Sequence, residues 1–252
     1  MSQDSLSGRK VVVTGGSRGI GKAVALAFAQ NGASVSICAR GVAALEDTRA
    51  MLARAGGTVH AARCDLSDPH DIPVYVAAAA EALGGIDILV NNATGSGLSD
   101  TEEGWDASLS VDLMAVVRTS GAAMPFLLES KSGAIVNVAS ISGLAASPRT
   151  PPYGAAKAAV IQYSATQASQ LIRKGVRVNC VAPGAIEFPG GVWDTRRTSD
   201  PSLYEKTLLR MPLGRLGRAE EIAEMVVFLA SPRASWVVGQ TIVVDGGQLL
   251  TQ

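Results

Sequence analysis

Short apolar runs alternate along the chain with longer, Ala-rich stretches of helical period. Runs at residues 10–14, 34–39, 58–64, 87–91, 134–139, 177–181 and 241–244 read as strands. They are rich in Val, Ile and Leu and do not alternate strictly with polar residues. That is the pattern of strands covered on both faces. Helical stretches are predicted near 20–30, 42–55, 71–83, 103–128, 153–173 and 219–230. In the first of these, Ile20, Val24, Ala27 and Phe28 share one face. The regular β-α alternation predicts the α/β class: a doubly wound parallel β-sheet in a three-layer α/β/α arrangement. No linker or repeat divides residues 1–252, so a single domain is expected. Residues 187–211 interrupt the rhythm with Phe188-Pro189-Gly190-Gly191, Trp193 and Asp200-Pro201. A connection of this length reads as a lid over a substrate site, with one short helix near 201–209.

Composition removes several function classes. The chain has 252 residues, 47% hydrophobic and 17% charged, and its 22 basic residues balance its 22 acidic ones. Zero net charge gives no footprint for nucleic acid or an anionic membrane. Apolar content this high argues against disorder. The N-terminal sequence shows no secretory signal, and no apolar run approaches the ~18–20 residues of a membrane span. A cytoplasmic protein is therefore expected. Cys38, Cys64 and Cys180 form no CxxC pair, and they read as small buried strand residues. With only His60 and His70 besides, no metal site is expected.

The first chemical signal follows the first strand: Thr14-Gly15-Gly16-Ser17-Arg18-Gly19-Ile20-Gly21. Glycines allow a tight turn and let backbone N–H groups approach a pyrophosphate at a helix N-terminus. The position, after a strand and before an amphipathic helix, makes this a Rossmann-like nucleotide loop rather than an ordinary turn. The second strand ends Ile37-Cys38-Ala39-Arg40, with no carboxylate to accept from a ribose 2′-hydroxyl. Arg40 and Arg18 instead offer forked donors to a 2′-phosphate, which favours NADP(H).

The second signal is Tyr153-Gly154-Ala155-Ala156-Lys157, in a chain with only four Tyr. Chance would supply about 0.1 such Tyr-x3-Lys pairs. Spacing of i, i+4 puts phenol and ammonium on one helix face, and Pro151-Pro152 suits the first helical turn. A phenol, with a reference pKa near ~10, is a poor base at neutral pH. A cation at ~4 Å contributes about 4 kcal/mol at an effective dielectric near ~20, enough to make it a usable acid/base. Ser140 closes the strand at 134–139, where open α/β sheets bind ligands.

Together these residues resemble the short-chain dehydrogenase/reductase family, in its single-domain branch of about 250 residues, and in particular the 3-oxoacyl-carrier-protein reductases. The resemblance rests on the glycine loop, Asn91-Asn92-Ala93, Ser140, Tyr153 to Lys157, Asn179 to Gly184 and Val244-Asp245-Gly246-Gly247. It implies that Tyr153 is the acid in reduction and the base in oxidation. Lys157 would hold the nicotinamide ribose and favour the phenolate, and Ser140 would orient the carbonyl. Gly15, Ser17, Arg18, Gly19, Ile20 and Gly21 would cradle the cofactor, with Arg40 at its 2′ end. Asp65 and Leu66 would lie against adenine, Asn91 and Ala93 would shape the cleft, and Pro183, Gly184 and Ile186 would face the nicotinamide. A homotetramer acting on a small carbonyl or alcohol is implied.

Three positions depart from the family pattern. Asp112 stands where the family commonly has a catalytic Asn, and a carboxylate accepts but does not donate. Thr94 replaces a Gly after Asn91-Asn92-Ala93. Phe188 replaces a Thr, and with Leu144 and Trp193 it is expected to form the substrate wall; Met211 hints at the same wall. The leading function is reduction of a ketone or 3-oxoacyl group with NADPH, or oxidation of the corresponding secondary alcohol. One alternative is an acyl-CoA or acyl-carrier thioester substrate, met by Arg149, Arg196 and Arg197, although such charges more often form a solvated rim. Reduction of a dienoyl-thioester C=C bond is disfavoured by the presence of Tyr153. The other alternative is a non-catalytic NADP(H)-binding regulator on the same fold.

Overall fold

A computed structural model describes residues 6–95 and 97–251. Its chain order is β1 (Lys10–Thr14), α1 (Gly19–Gln30), β2 (Ser34–Ala39), α2 (Val42–Ala53), β3 (Val59–Arg63), α3 (Asp71–Leu83), β4 (Ile88–Asn91), α4 (Glu102–Ser108), α5 (Ala115–Glu129), β5 (Ala134–Val138), α6 (Pro151–Leu171), β6 (Arg177–Pro183), β7 (Ile186–Glu187), α7 (Val192–Ser199), α8 (Pro201–Leu209), β8 (Gly217–Arg218), α9 (Ala219–Ala230) and β9 (Thr241–Val244). Seven strands form one sheet in the order β3-β2-β1-β4-β5-β6-β9, with every pairing parallel. β7 and β8 pair separately. The expected doubly wound Rossmann-like α/β sheet is what the chain forms. Strand order reverses between β1 and β4, which opens a crevice at their carboxyl ends.

Period-two alternation sorts each strand's side chains between two cores. Val11, Val13, Val35, Ile37, Ile88 and Val90 pack with α1, α2 and α9. Val12, Cys38, Leu89, Ile135 and Val178 pack with α3, α5 and α6 on the opposite face. Nearly all of these are fully buried, which is why the strands read as apolar runs. Ser36 is one of the buried polar strand residues, and its hydroxyl lies 2.9 Å from both His60 Nδ1 and Tyr75 Oη. His60 is thus a structural residue, and it stacks on Tyr75.

The helical run Glu102–Glu129 departs from expectation in two ways. Its α-helical ladder opens into a π turn at Leu109–Met114. By length and composition it is also apolar enough to cross a membrane. In this fold its C-terminal part packs on the sheet through Ala115, Val116, Ala123 and Leu127. The expected short helix at Pro201–Leu209 is present, begun by Asp200 accepting from the Leu203 N–H. α7 was not anticipated, because Val-Trp-Asp-Thr-Arg-Arg-Thr-Ser carries no apolar stripe and buries no residue.

Arg177 locks α9 to the sheet from the first position of β6. One guanidinium nitrogen donates to the Leu229 and Ala234 carbonyls at 2.7 and 3.1 Å. The other donates to Ala230 and Ser231 at 3.2 and 3.1 Å. These carbonyls lie at and just beyond the C-terminal end of α9, where the ladder leaves acceptors free. Arg177→Met is expected to cost about 2–3 kcal/mol of stability, read from urea unfolding, because bonds from a charged donor are worth more than neutral ones. Arg177→Lys should recover less than half, since an ammonium does not reproduce the planar fork.

Candidate functional site

The turn after β1 is built by close contacts that exclude side chains. Gly15 has φ +67°, and a Cβ there would sit 2.9 Å from the Ala93 Cα. A Cβ on Gly21 would meet the Gly15 carbonyl oxygen at 2.2 Å. Asn92 braces the turn by donating to the Thr14 and Gly15 carbonyls at 3.0 and 3.2 Å. Thr14 Oγ1 accepts from the Asn92 N–H at 3.0 Å, so β1 and β4 are tied at the crevice. α1 begins at Gly19 with no side-chain cap and no acidic residue in its first turn. Its first amides and the helix dipole therefore favour an anion.

A cleft of about 780 Å³ runs along the carboxyl ends of the strands. Gly15, Ser17, Arg18, Ile20, Gly21 and Arg40 line it, as do Asp65, Leu66 and Ala93. Ser140, Tyr153 and Lys157 open onto the same cleft, together with Pro183, Gly184 and Ile186. Arg18 and Arg40 make no ion pair among the described residues. Asp65 is held by the Ser67 hydroxyl and N–H, which bring its carboxyl below the usual range; Arg40 adds to this from a distance. Cys64, Asn92, Thr94, Leu98, Val111 and Thr195 also line the cleft. Asn92 and Thr94 belong to or follow the Asn91-Asn92-Ala93 motif without a ligand role of their own there; for Cys64, Leu98, Val111 and Thr195 nothing in the residue type signals exposure to a ligand.

Ser140 sits in extended backbone just beyond β5 and caps a short 3₁₀ turn, its hydroxyl accepting from the Ser142 N–H at 3.1 Å. α6 starts at Pro151, and its first turns carry Tyr153, half-buried, and Lys157, 2% exposed. Lys157 Nζ lies 5.5 Å from the centre of the Tyr153 ring. It donates to the Val138 carbonyl at 3.1 Å and stands 3.1 Å from Asp112 Oδ1. Asp112 occupies the π turn and is fully buried. Its other oxygen accepts from the Gly95 N–H at 3.2 Å. Burial opposes the Lys157 charge most strongly, but the Asp112 carboxylate and then Tyr153 favour it, and the ammonium's pKa ends above its ordinary value.

Four expected site residues fall elsewhere. Asp112 does not line the cleft; it touches Lys157 from behind and positions it. Asn91 faces inward: it donates to Asn137 Oδ1 at 2.8 Å and Ser120 Oγ at 3.1 Å, and accepts from Thr119 at 2.6 Å. Asn137 continues to Ser164 on α6 at 2.8 Å. This buried chain joins β4, β5, α5 and α6 and leaves Asn91 no free polar atom for a ligand. Leu144 is 46% exposed and outside the cleft lining. Gly19 is covered by the Phe188 ring, whose Cζ lies 2.5 Å from where a Cβ would be. Phe188 thus lines the cleft at its glycine-loop end rather than forming a wall beside Leu144. Trp193 lines the cleft, while Met211 packs outside it with Ala185 and Leu216. Asn179 and Asp245, both in recognisable motifs, are structural. Asn179 bridges to Val237 and Gln240, and Asp245 accepts from the Gly247 and Leu249 N–H groups.

Residues 15–248 match the family model described as enoyl-(acyl carrier protein) reductase. The chain is 38% identical over 248 residues to isoepoxydon dehydrogenase of Penicillium expansum, covering 96% of this chain and 95% of that one. It is 37% identical over 252 residues to the 3-oxoacyl-[acyl-carrier-protein] reductase of Thermotoga maritima, covering 97% and 99%. A solved short chain dehydrogenase from Burkholderia cenocepacia J2315, in complex with NADP, superposes with a TM-score of 0.89 at 32% identity, covering 98% and 100%.

The Lys157–Asp112 pair generates a pH-dependent prediction. A raised folded pKa means that Lys157 contributes stability fully below its unfolded value near 10.5, and that this is lost as pH rises through the folded value. In Asp112→Asn the main favourable charge is gone and burial lowers the folded value below the unfolded one. The variant then gains stability as pH rises toward 10.5. Asp112→Asn should therefore be less stable than the parent by about 3 kcal/mol near pH 7.5. The gap should narrow steadily between pH 9 and pH 11 in urea titrations; a constant gap would mean the pair is not ionised.

Proposed function

Because the chain belongs to the short-chain dehydrogenase/reductase family, a family of oxidoreductases, we propose that it interconverts a ketone and a secondary alcohol with NADP(H). The observation that carries this reading is the convergence of Ser140, Tyr153 and Lys157 on the cleft that also holds the glycine loop.

The residues present suit such a cofactor. The uncapped start of α1 and the turn at Gly15 and Gly21 would take the pyrophosphate. Arg18 and Arg40, both exposed on the cleft and without an ion pair among the described residues, would take a 2′-phosphate. When bound, NADP(H) supplies or accepts the hydride. Tyr153 donates its phenolic proton to the carbonyl oxygen in reduction and takes it back in oxidation. Ser140 donates a hydrogen bond to that oxygen and fixes its direction. The raised pKa of Lys157 keeps its ammonium protonated through the neutral range, beside the Tyr153 ring. Asp112 and the Val138 carbonyl hold the ammonium in place.

Tyr153→Phe should reduce ketone reduction by NADPH at least ~100-fold while NADPH binding persists, since general acid catalysis typically contributes 10²–10⁴. Retained turnover would remove Tyr153 from its role, and an absence of turnover in the parent across a ketone panel would favour a binding protein on this fold. On the cofactor side, NADPH should bind more tightly than NADH by fluorescence titration. Arg40→Ala should weaken NADPH about 10-fold and change NADH little, through loss of a charge-assisted phosphate contact.

A further inference from the structure

The three arginines set apart in the sequence as rim charges have different fates. Arg197 is neutralised: it pairs with Asp194 at 2.7 Å and approaches Glu187 at 3.8 Å. Arg196, one residue earlier on α7, turns the other way and lines the cleft shared by Ser140 and Tyr153. Its guanidinium carbon lies 5.1 Å from the centre of the Trp193 ring, which also lines the cleft. Stacking on an indole fixes the guanidinium plane while leaving its N–H edge free to donate. Among the described residues neither Arg196 nor Arg149 has a carboxylate within ion-pair distance.

Arg149 stands four residues before Tyr153. A 2.7 Å bond between the Ser147 and Thr150 hydroxyls ties its loop together, and Gly154 packs against Ser147. Its charge reaches Arg196. Burial first, and then repulsion from Arg149, hold the Arg196 guanidinium below its ordinary value, against the pull of Asp200. Arg196 on the cleft wall thus meets a second positive charge and, among the described residues, no paired carboxylate, a cost that an anion bound beside it would relieve.

We propose that Arg196, assisted by Arg149, is a specificity clamp for a substrate that carries an anionic group, a carboxylate or a phosphate, in addition to its carbonyl. This deepens the ketone-reductase reading and rests on it. The carbonyl end lies at Ser140 and Tyr153, and the anionic end takes forked donors from Arg196. Two sources fit the chemistry: an acidic group on a small keto acid, or a phosphate on a thioester carrier.

The test compares 4-oxopentanoate and 5-oxohexanoate with their neutral methyl esters, and acetoacetyl-CoA with the neutral N-acetylcysteamine thioester. The parent should prefer the charged member of at least one pair by roughly 10–100-fold in kcat/KM, mostly through KM, as expected for charge-assisted bonds. Added KCl should lower the preference. Arg196→Met should bring the ratio close to one and Arg149→Met should reduce it partly, while Arg54→Met, on the remote surface after α2, should leave it intact. Preference among the free acids assigns the anion to the substrate; preference confined to acetoacetyl-CoA assigns it to a carrier phosphate. Ratios near one in the parent, or ratios that Arg196→Met does not change, overturn the clamp. If no ketone is turned over, the reductase reading fails on its own. Calorimetric titration of 5-oxohexanoate and its ester into the protein–NADPH complex then decides the clamp: acid-selective heat lost in Arg196→Met supports it, and its absence in the parent overturns it.

Discussion

A buried ammonium tolerates few arrangements around it. Lys157 is almost wholly withdrawn from water, so its charge needs oxygen partners fixed by the fold. It finds one at the end of β5, the Val138 carbonyl, and one in the π turn, Asp112. Those contacts set where α6 can lie relative to the sheet and to the helical run that crosses it. Tyr153, one turn earlier on α6, inherits its place from this anchoring. Ser140, two residues beyond Val138, is placed by the same strand end. The end of the cleft that holds Ser140 and Tyr153 therefore depends on a pair of which only Lys157 reaches the cleft, Asp112 standing behind it.

The second support is polar and equally hidden. Asn91 and Asn137 are register partners on β4 and β5, and their amides continue to Thr119 and Ser120 on α5 and to Ser164 on α6. Every member is buried, and leaving any of them unpaired carries the full desolvation cost. This network holds the two helices beside the sheet at fixed heights, which keeps the Lys157 anchorage from sliding.

Much of this is legible in the sequence. The bounds of β1, β2, α3 and α9 follow from apolar period alone, because those elements bury most of one face or both; those of β9 follow from its Ile-Val-Val run although its side chains are only partly covered. The glycine loop and Tyr153 to Lys157 carry spacing that few other arrangements need. What stayed hidden has physical causes. α7 is a surface helix stabilised by local pairs such as Asp194 with Arg197, so hydrophobic period is silent there. An extra residue in a long apolar helix leaves its composition unchanged, so the π turn gave no signal. Asn91 and Asn92 are adjacent and identical. Which one reaches the cleft depends on the pleat, and it is Asn92 that braces the glycine loop while Asn91 turns into the core.

The π turn can also be described as a matter of phase. An α-helix advances ~100° per residue, so a single residue accommodated without breaking the helix offsets everything before it by about that angle relative to everything after it. α4 and α5 are thus two halves of one rod cut and twisted against each other, with Asp112 at the cut. The offset lets α5 present its apolar stripe to the sheet while the preceding segment aims a carboxylate at Lys157. The buried charge and the lipophilic stripe belong to one helix only because their angular positions are decoupled there. Loss or gain of a single residue within Leu109–Met114 would be a rotation before it was a change in length.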